Sequence, residues 1–154
     1  MSTKGIPLVS GVERLIRHLS ENNIPMAIAS NAKAMEVQFA LQCAVGLNPN
    51  YFSHYVCGAD DPDVKENKPS PHVYLVCAKR FKNASKSLDS CVIFEDSLRG
   101  ITGAIASGMK TVFIKNSIDR KSTEFKSIFD KITVIVDSFN NFKPESVGLP
   151  PFKK

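Results

Sequence analysis

The sequence contains no run of about 18 apolar residues, the length that a membrane-spanning helix needs, so it predicts no membrane span. Met1 to Pro7 carries one lysine and no long apolar stretch, and it does not read as a secretory leader. The four cysteines, Cys43, Cys57, Cys77 and Cys91, show no CxxC spacing, which argues against a zinc site. Their neighbours are apolar in Tyr55-Val56-Cys57 and Val76-Cys77-Ala78, which predicts reduced, buried thiols in a cytoplasmic protein. There is no dense block of lysines and no basic–aromatic interleaving. The net charge of +5 is therefore read as a dispersed surface charge rather than as a nucleic-acid interface. Internal repeats and low-complexity tracts are also absent.

What is present fits one globular domain spanning residues 1–154. Hydrophobic residues are 43% and charged residues 23%, a balance that supports a packed core. Helical and strand patterns alternate, which predicts an α/β fold with a parallel sheet. Gly11 to Glu21 places Val12, Leu15, Ile16 and Leu19 at helical spacing, with Ser10 as a candidate cap. Ile24 to Ala29 is a short apolar run suited to a buried strand. A helix is expected from Ala34 to Val45, closed by Gly46. Tyr55 to Cys57 predicts a second strand, and Ser70 to Phe81 a helix with Pro71 in its first turn. Cys91 to Phe94, Thr111 to Ile114 and Ile132 to Val136 complete the strands. Leu98 to Ser107 is expected as a helix stopped by Gly108, and Asp137 to Phe142 as a short helix. The proline-rich tail from 143 to 154 is expected to be irregular.

Open parallel sheets form their sites beyond the carboxyl ends of the strands. Three such ends carry polar chemistry. Ser30 follows the first strand, where a hydroxyl beside free helix amides can bond a phosphate oxygen; it can equally be a routine cap. Lys68 stands in Asn67-Lys68-Pro69-Ser70-Pro71, able to put a point charge on a phosphate or to be a solvated loop lysine. Glu95-Asp96 follows the third strand. Two adjacent carboxylates there repel and are costly to desolvate unless a divalent cation joins them; the plainer reading is a cap for the next helix.

The order serine, lysine, acidic pair, each at a strand end, resembles the haloacid dehalogenase superfamily. Ser30 matches its second motif, Lys68 its third and Glu95-Asp96 its fourth. The surroundings match too: Lys68-Pro69-x-Pro71, then Val92-Ile93-Phe94-Glu95-Asp96-Ser97 with Gly100, Ala104 and Gly108-Met109. Gly58 to Lys65, Cys77 to Phe81, and Phe142 to Glu145 with Gly148 to Pro150 look like the pseudouridine-5'-phosphatase branch. The likeness runs from about Pro7 to Phe152. It implies a three-layer, Rossmann-like core and a Mg2+-dependent phosphatase acting on a small phosphorylated metabolite. The implied catalytic and substrate-binding residues are Ser30, Asn31 and Lys68, and the implied metal ligands are Glu95 and Asp96.

The family's first motif, Asp-x-Asp-Gly-Thr/Val, ends its first strand and supplies both the nucleophile and the general acid/base. It is not in this sequence. Asp61-Pro62-Asp63 is the nearest match, but no apolar strand precedes it and no Gly-Thr follows. The resemblance therefore implies that the first, central strand and the cap domain are both missing. Phosphoryl transfer through an aspartyl-phosphate then has no nucleophile. The strands ending at Ser30 and Glu95 would face each other across an open slot, inviting self-association. Three functions remain open: a family enzyme that is inactive as it stands, a non-catalytic remnant binding phosphate or a partner protein, and a basic RNA-associated module, which nothing specific supports.

Overall fold

The computed structural model describes residues 5–83, 87–114 and 122–153. The first four residues of the stretch Met1 to Pro7 and the last residue of the tail lie outside these. The elements follow in the order α1 (Val12–Glu21), β1 (Met26–Ser30), α2 (Ala34–Cys43), β2 (Phe52–Cys57), α3 (His72–Lys79), β3 (Val92–Glu95), α4 (Leu98–Ala106), β4 (Lys110–Ile114), α5 (Thr123–Ile128) and β5 (Val134–Val136). Short 3-10 turns intervene, including Phe139–Asn141 and Pro144–Val147. No helix among the described residues is long and apolar enough to cross a membrane.

All strand pairs are parallel, but they form two sheets. Among the described residues β1 pairs only with β2, with Ile28 opposite Tyr55 and Ser30 opposite Cys57. β3, β4 and β5 form the other, with Glu95 opposite Phe113 and Phe113 opposite Ile135. Side-chain alternation along the strands divides the interior into two cores. Ala27, Ala29, Ile93, Phe113 and Ile135 pack on one face with α3, α4 and α5. Met26, Val92, Phe94, Val112, Ile114, Val134 and Val136 pack on the other with α1 and the C-terminal segment. Each core draws on both sheets, so the layers are helix, sheet and helix, and side chains rather than backbone bonds join the two sheets.

The split follows the strands that the sequence marks as apolar throughout. β4, paired on both edges, is buried from Thr111 to Ile114. Every residue of β1 and β3 stays partly exposed. A cavity of about 540 Å3 lies between them, lined by Met26, Ala29, Val92, Phe94, Leu15 and Tyr74 among others. The chain has not closed this slot by pairing β1 with β3. Closing it would draw the strands to about 4.8 Å and pull both helical layers inward.

Several local expectations are corrected. Ser10 does not cap α1; Gly11 is the cap residue, and the Ser10 hydroxyl accepts from Asn140 Nδ2 at 2.8 Å. α2 stops at Cys43 rather than running to Val45. The Cys43 carbonyl accepts from Ile6 N at 2.7 Å, and Val45 N donates to Ile6 O at 3.0 Å, which draws the chain out of the helix. Pro71 is the cap of α3 and not in its first turn. β2 starts three residues early, at Phe52, and α5 was not read from the sequence. Asp137 to Phe142 gives only the 3-10 turn Phe139–Asn141.

The tail, expected to be irregular, forms no regular element beyond the 3-10 turn Pro144–Val147, but it is packed. Three of its twelve residues are proline, yet Pro144 and Val147 are buried, so apolar anchoring holds the segment in place. Phe152 lies 4.7 Å from the His18 ring, with the Arg14 guanidinium 3.9 Å over its face. His18 Nε2 donates to the Pro150 carbonyl at 2.8 Å.

With two apolar strand edges facing a slot, the isolated chain is expected to self-associate and to melt over a broad range. Light scattering and a thermal melt check this. A monomer with a sharp, high transition would mean that the two cores alone hold the sheets together.

Candidate functional site

β1 and β3 end side by side, and the loop from Gly58 to Asn67 brings Lys68 between them. The Lys68 side chain is buried, and its ammonium donates to the Ala29 carbonyl on β1 at 2.9 Å and to Glu95 Oε1 on β3 at 2.5 Å. An ammonium has three N–H groups, so one remains for another acceptor. Asn31 fixes the lysine backbone: Lys68 N donates to Asn31 Oδ1 at 3.0 Å, and Asn31 Nδ2 donates to Lys68 O at 3.4 Å. Arg99, in the first turn of α4, also donates to Lys68 O, at 2.7 Å. The Lys68–Pro69 peptide bond is cis.

Glu95 sits at the end of β3 and accepts from Lys68, from the Tyr74 hydroxyl at 2.6 Å and, more weakly, from Ser97 Oγ at 3.4 Å. Two glycines of α4 make room for this cluster. A Cβ on Gly100 would lie 2.0 Å from Glu95 Oε2, and one on Gly103 would lie 2.9 Å from the Pro69 carbonyl. Asp96 is exposed. It shares the wall of a cavity of about 480 Å3 with Asn31, Lys68, Glu95 and Arg99.

Four of the five sequence-predicted residues, Asn31, Lys68, Glu95 and Asp96, therefore meet at one cavity. Ser30 ends β1 beside them, but its hydroxyl accepts from Ala32 N at 3.1 Å in a local turn; it does not cap α2, whose cap residue is Lys33. The acidic pair does not cap α4; Ser97 does, accepting from Gly100 N at 3.0 Å. The sequence reading missed Tyr74 and Arg99, and it noted Gly100 only as a match to the family's surroundings. Tyr74 offered one signal, a phenolic hydroxyl on a helix face that is otherwise apolar.

Glu95 and Asp96 are the candidate metal ligands. They are hard oxygen donors, and Mg2+ takes one or two carboxylates with waters and a substrate phosphate. Glu95 Oε1 is engaged by Lys68 and Tyr74, which leaves Oε2, held only weakly by Ser97 Oγ, and the exposed Asp96 carboxylate as the candidate donors.

Asp61 and Asp63 play no part in this cavity. Arg80, at the end of α3, grips both: it donates to Asp61 at 2.6 and 2.8 Å and to Asp63 at 2.7 Å. This ties the loop before Lys68 to α3. Asp60 ties the same loop to α2 by accepting from Ala34 N at 3.1 Å. The Arg80 hydrogen bonds hold the Asp61 carboxyl below its ordinary range. Burial raises the thiols of Cys57 and Cys91 and pushes Cys77 up to about 12, so these cysteines stay neutral and unreactive.

The haloacid dehalogenase-like hydrolase family model matches residues 3–108. The chain is 39% identical over 145 residues to a probable pseudouridine-5'-phosphatase of Drosophila melanogaster, covering 94% of this chain and 60% of that protein. It is 34% identical over 148 residues to (DL)-glycerol-3-phosphatase 2 of Arabidopsis thaliana, covering 95% and 58%. It thus spans about 60% of the length of these curated relatives. Among solved structures it resembles CbbY from Rhodobacter sphaeroides in complex with phosphate, with a TM-score of 0.71, 22% identity and coverage of 88% and 56%. It also resembles β-phosphoglucomutase from Clostridium difficile, with a TM-score of 0.69, 24% identity and coverage of 91% and 56%. Both likenesses establish the fold.

The clamp on the Lys68 loop has a definite pH signature. A carboxyl whose folded pKa is depressed stabilises above its unfolded value, and that stability is lost as pH falls through the folded one. Asp61→Asn is expected to cost about 1 kcal/mol at pH 7, allowing for the partly exposed arginine. At pH 3, below the unfolded value of about 3.9, the cost should shrink. Urea midpoints at both pH values check this; an equal cost at both would remove charge from the explanation.

Proposed function

We propose the following function for this chain, which belongs to the haloacid dehalogenase-like hydrolase family: it supplies the phosphate-binding and metal-holding half of a phosphatase site. The substrate class is a small phosphate monoester, most like pseudouridine 5'-phosphate. The observation that carries this reading is the Lys68 ammonium, held between two strand ends at a cavity that also presents Asp96.

Each residue has a role that follows from its geometry. Lys68 offers its remaining N–H to a phosphate oxygen and keeps a fixed positive charge there. Asn31 holds the lysine backbone in place through its paired hydrogen bonds. Ser30 ends β1 and opens the turn whose backbone amides lead into α2. Asp96 and Glu95 Oε2 would hold Mg2+, which when bound supplies further positive charge at the phosphate. Such preorganised charge, aimed where negative charge sits in the transition state, is a large term in phosphoryl transfer.

The chemistry stops short of turnover. In the family's mechanism a carboxylate attacks phosphorus, and this sequence has no Asp-x-Asp-Gly-Thr to supply it. Glu95 is engaged by Lys68 and Tyr74, and the Asp61 and Asp63 carboxylates are committed to Arg80. A second reading, phosphate binding without hydrolysis, rests on this same observation.

The chain alone is expected to bind inorganic phosphate through Lys68 and not to hydrolyse pseudouridine 5'-phosphate or an aryl phosphate with Mg2+. Turnover by the purified chain that vanishes in Asp96→Asn would overturn this and point to another nucleophile. When a segment bearing Asp-x-Asp-Gly-Thr is supplied, hydrolysis should appear. Lys68→Ala should then lower kcat by about 10² to 10³, the scale for loss of one preorganised charge-stabilising donor. Full activity in Lys68→Ala would remove Lys68 from the site.

A further inference from the structure

Tyr74 is buried on α3, a helix that the phosphate reading does not otherwise use. Its hydroxyl lies 2.6 Å from Glu95 Oε1 and 2.9 Å from the Gly100 carbonyl. A phenol has one proton, and the carboxylate is both the nearer and the stronger acceptor. Its ring faces the Lys68 ammonium, with Nζ 4.8 Å from the ring centroid. One side chain therefore touches both members of the buried pair, the anion through its hydroxyl and the cation through its π face.

Without Tyr74, the Lys68 ammonium would keep two contacts, Ala29 O and Glu95 Oε1, and Glu95 would have only Lys68 and the weak Ser97 contact to orient it. A glutamate side chain has other rotamers open, and the hydroxyl bond is the short contact that selects this one, in which the carboxylate lies directly over Gly100. The tyrosine hydroxyl removes that freedom. We propose that Tyr74 is a positioning residue: it holds Glu95 Oε1 against Lys68, so that the ammonium stays fixed at the cavity and only the other Glu95 oxygen and Asp96 face a cation. Burial and the charge of Glu95 raise the phenol above its ordinary pKa, so it remains a proton donor throughout the working range.

The proposal rests on the reading of Lys68 as a phosphate ligand, and the test separates the two. Tyr74→Phe keeps the ring and its packing and removes only the hydroxyl. Two readouts are made on the whole chain: the 1H–15N signal of the Lys68 ammonium without ligand, and the affinity for inorganic phosphate, with Lys68→Ala alongside. Tyr74→Phe is expected to speed exchange of the Lys68 ammonium protons until the signal broadens. It should also weaken phosphate binding about tenfold, the scale of one hydrogen bond to a charged group. Its melting curve should stay close to that of the parent. An unchanged ammonium signal and affinity in Tyr74→Phe, while Lys68→Ala loses phosphate, would overturn the role of Tyr74 and leave the phosphate reading intact. Undiminished phosphate binding in Lys68→Ala would sink the phosphate reading, while the ammonium signal still decides on Tyr74. A Tyr74→Phe chain that melts far earlier, with amide signals shifted throughout, would make Tyr74 a core residue only and overturn the proposal.

Discussion

The buried contact between Lys68 and Glu95 links the halves of this molecule. It spans the gap between two sheets that share no backbone hydrogen bonds, since the same ammonium also bonds the Ala29 carbonyl of β1. Both side chains are about nine-tenths buried, so neither charge has water to fall back on. Buried pairs of this kind add little net stability over an apolar substitute, but removing one partner strands the other at a cost of about 3–5 kcal/mol. The pair is therefore better understood as a device for placing charge than as a source of stability. The surrounding structure supplies what such a pair requires: Asn31 and Arg99 on the lysine carbonyl, Tyr74 on the carboxylate, and glycine at 100 where any Cβ would collide with Glu95.

The slot between β1 and β3 follows from the same arrangement. Side chains from both sheets enter each core, and the alternation of Val92, Ile93 and Phe94 sends successive residues to opposite faces. This packing holds the sheets in one orientation without closing the space between their edges. The polar bridge stands at the carboxyl end of the slot, and the apolar lining runs below it. The C-terminal segment contributes to one core through Phe139, Phe142 and Val147, and it is fastened to α1 by Phe152 and His18.

The family match and the solved structures of similar fold place this chain in the haloacid dehalogenase-like hydrolase family and its fold. The chain is about 60% as long as the curated proteins it matches. The polar residues that this chain brings to the cavity include a lysine, an asparagine, an arginine and two carboxylates. Charge placement and nucleophilic attack are separable parts of phosphoryl transfer, and the proposed function assigns the chain only the first.

The sequence alone determined the alternation of helices and strands, the parallel sheet and the three strand ends that carry chemistry. These rest on local signals: apolar runs of strand length, helical spacing, and polar residues placed directly after them. It also marked Asp61-Pro62-Asp63 as a loop rather than a nucleophile, because no strand precedes it. Only the tertiary structure decided which plain or functional reading each residue took. Ser30 turned its hydroxyl onto its own loop, Ser97 rather than the acidic pair capped α4, and Lys68 chose Glu95. The ends of α2 and the packing of the tail were decided by partners distant in sequence, Ile6 for the one and α1 for the other. Tyr74 was invisible for the same reason. A tyrosine in an apolar helix face reads as core, and its hydroxyl acquires a purpose only when β3 and α4 fold against it and bring Glu95 within reach.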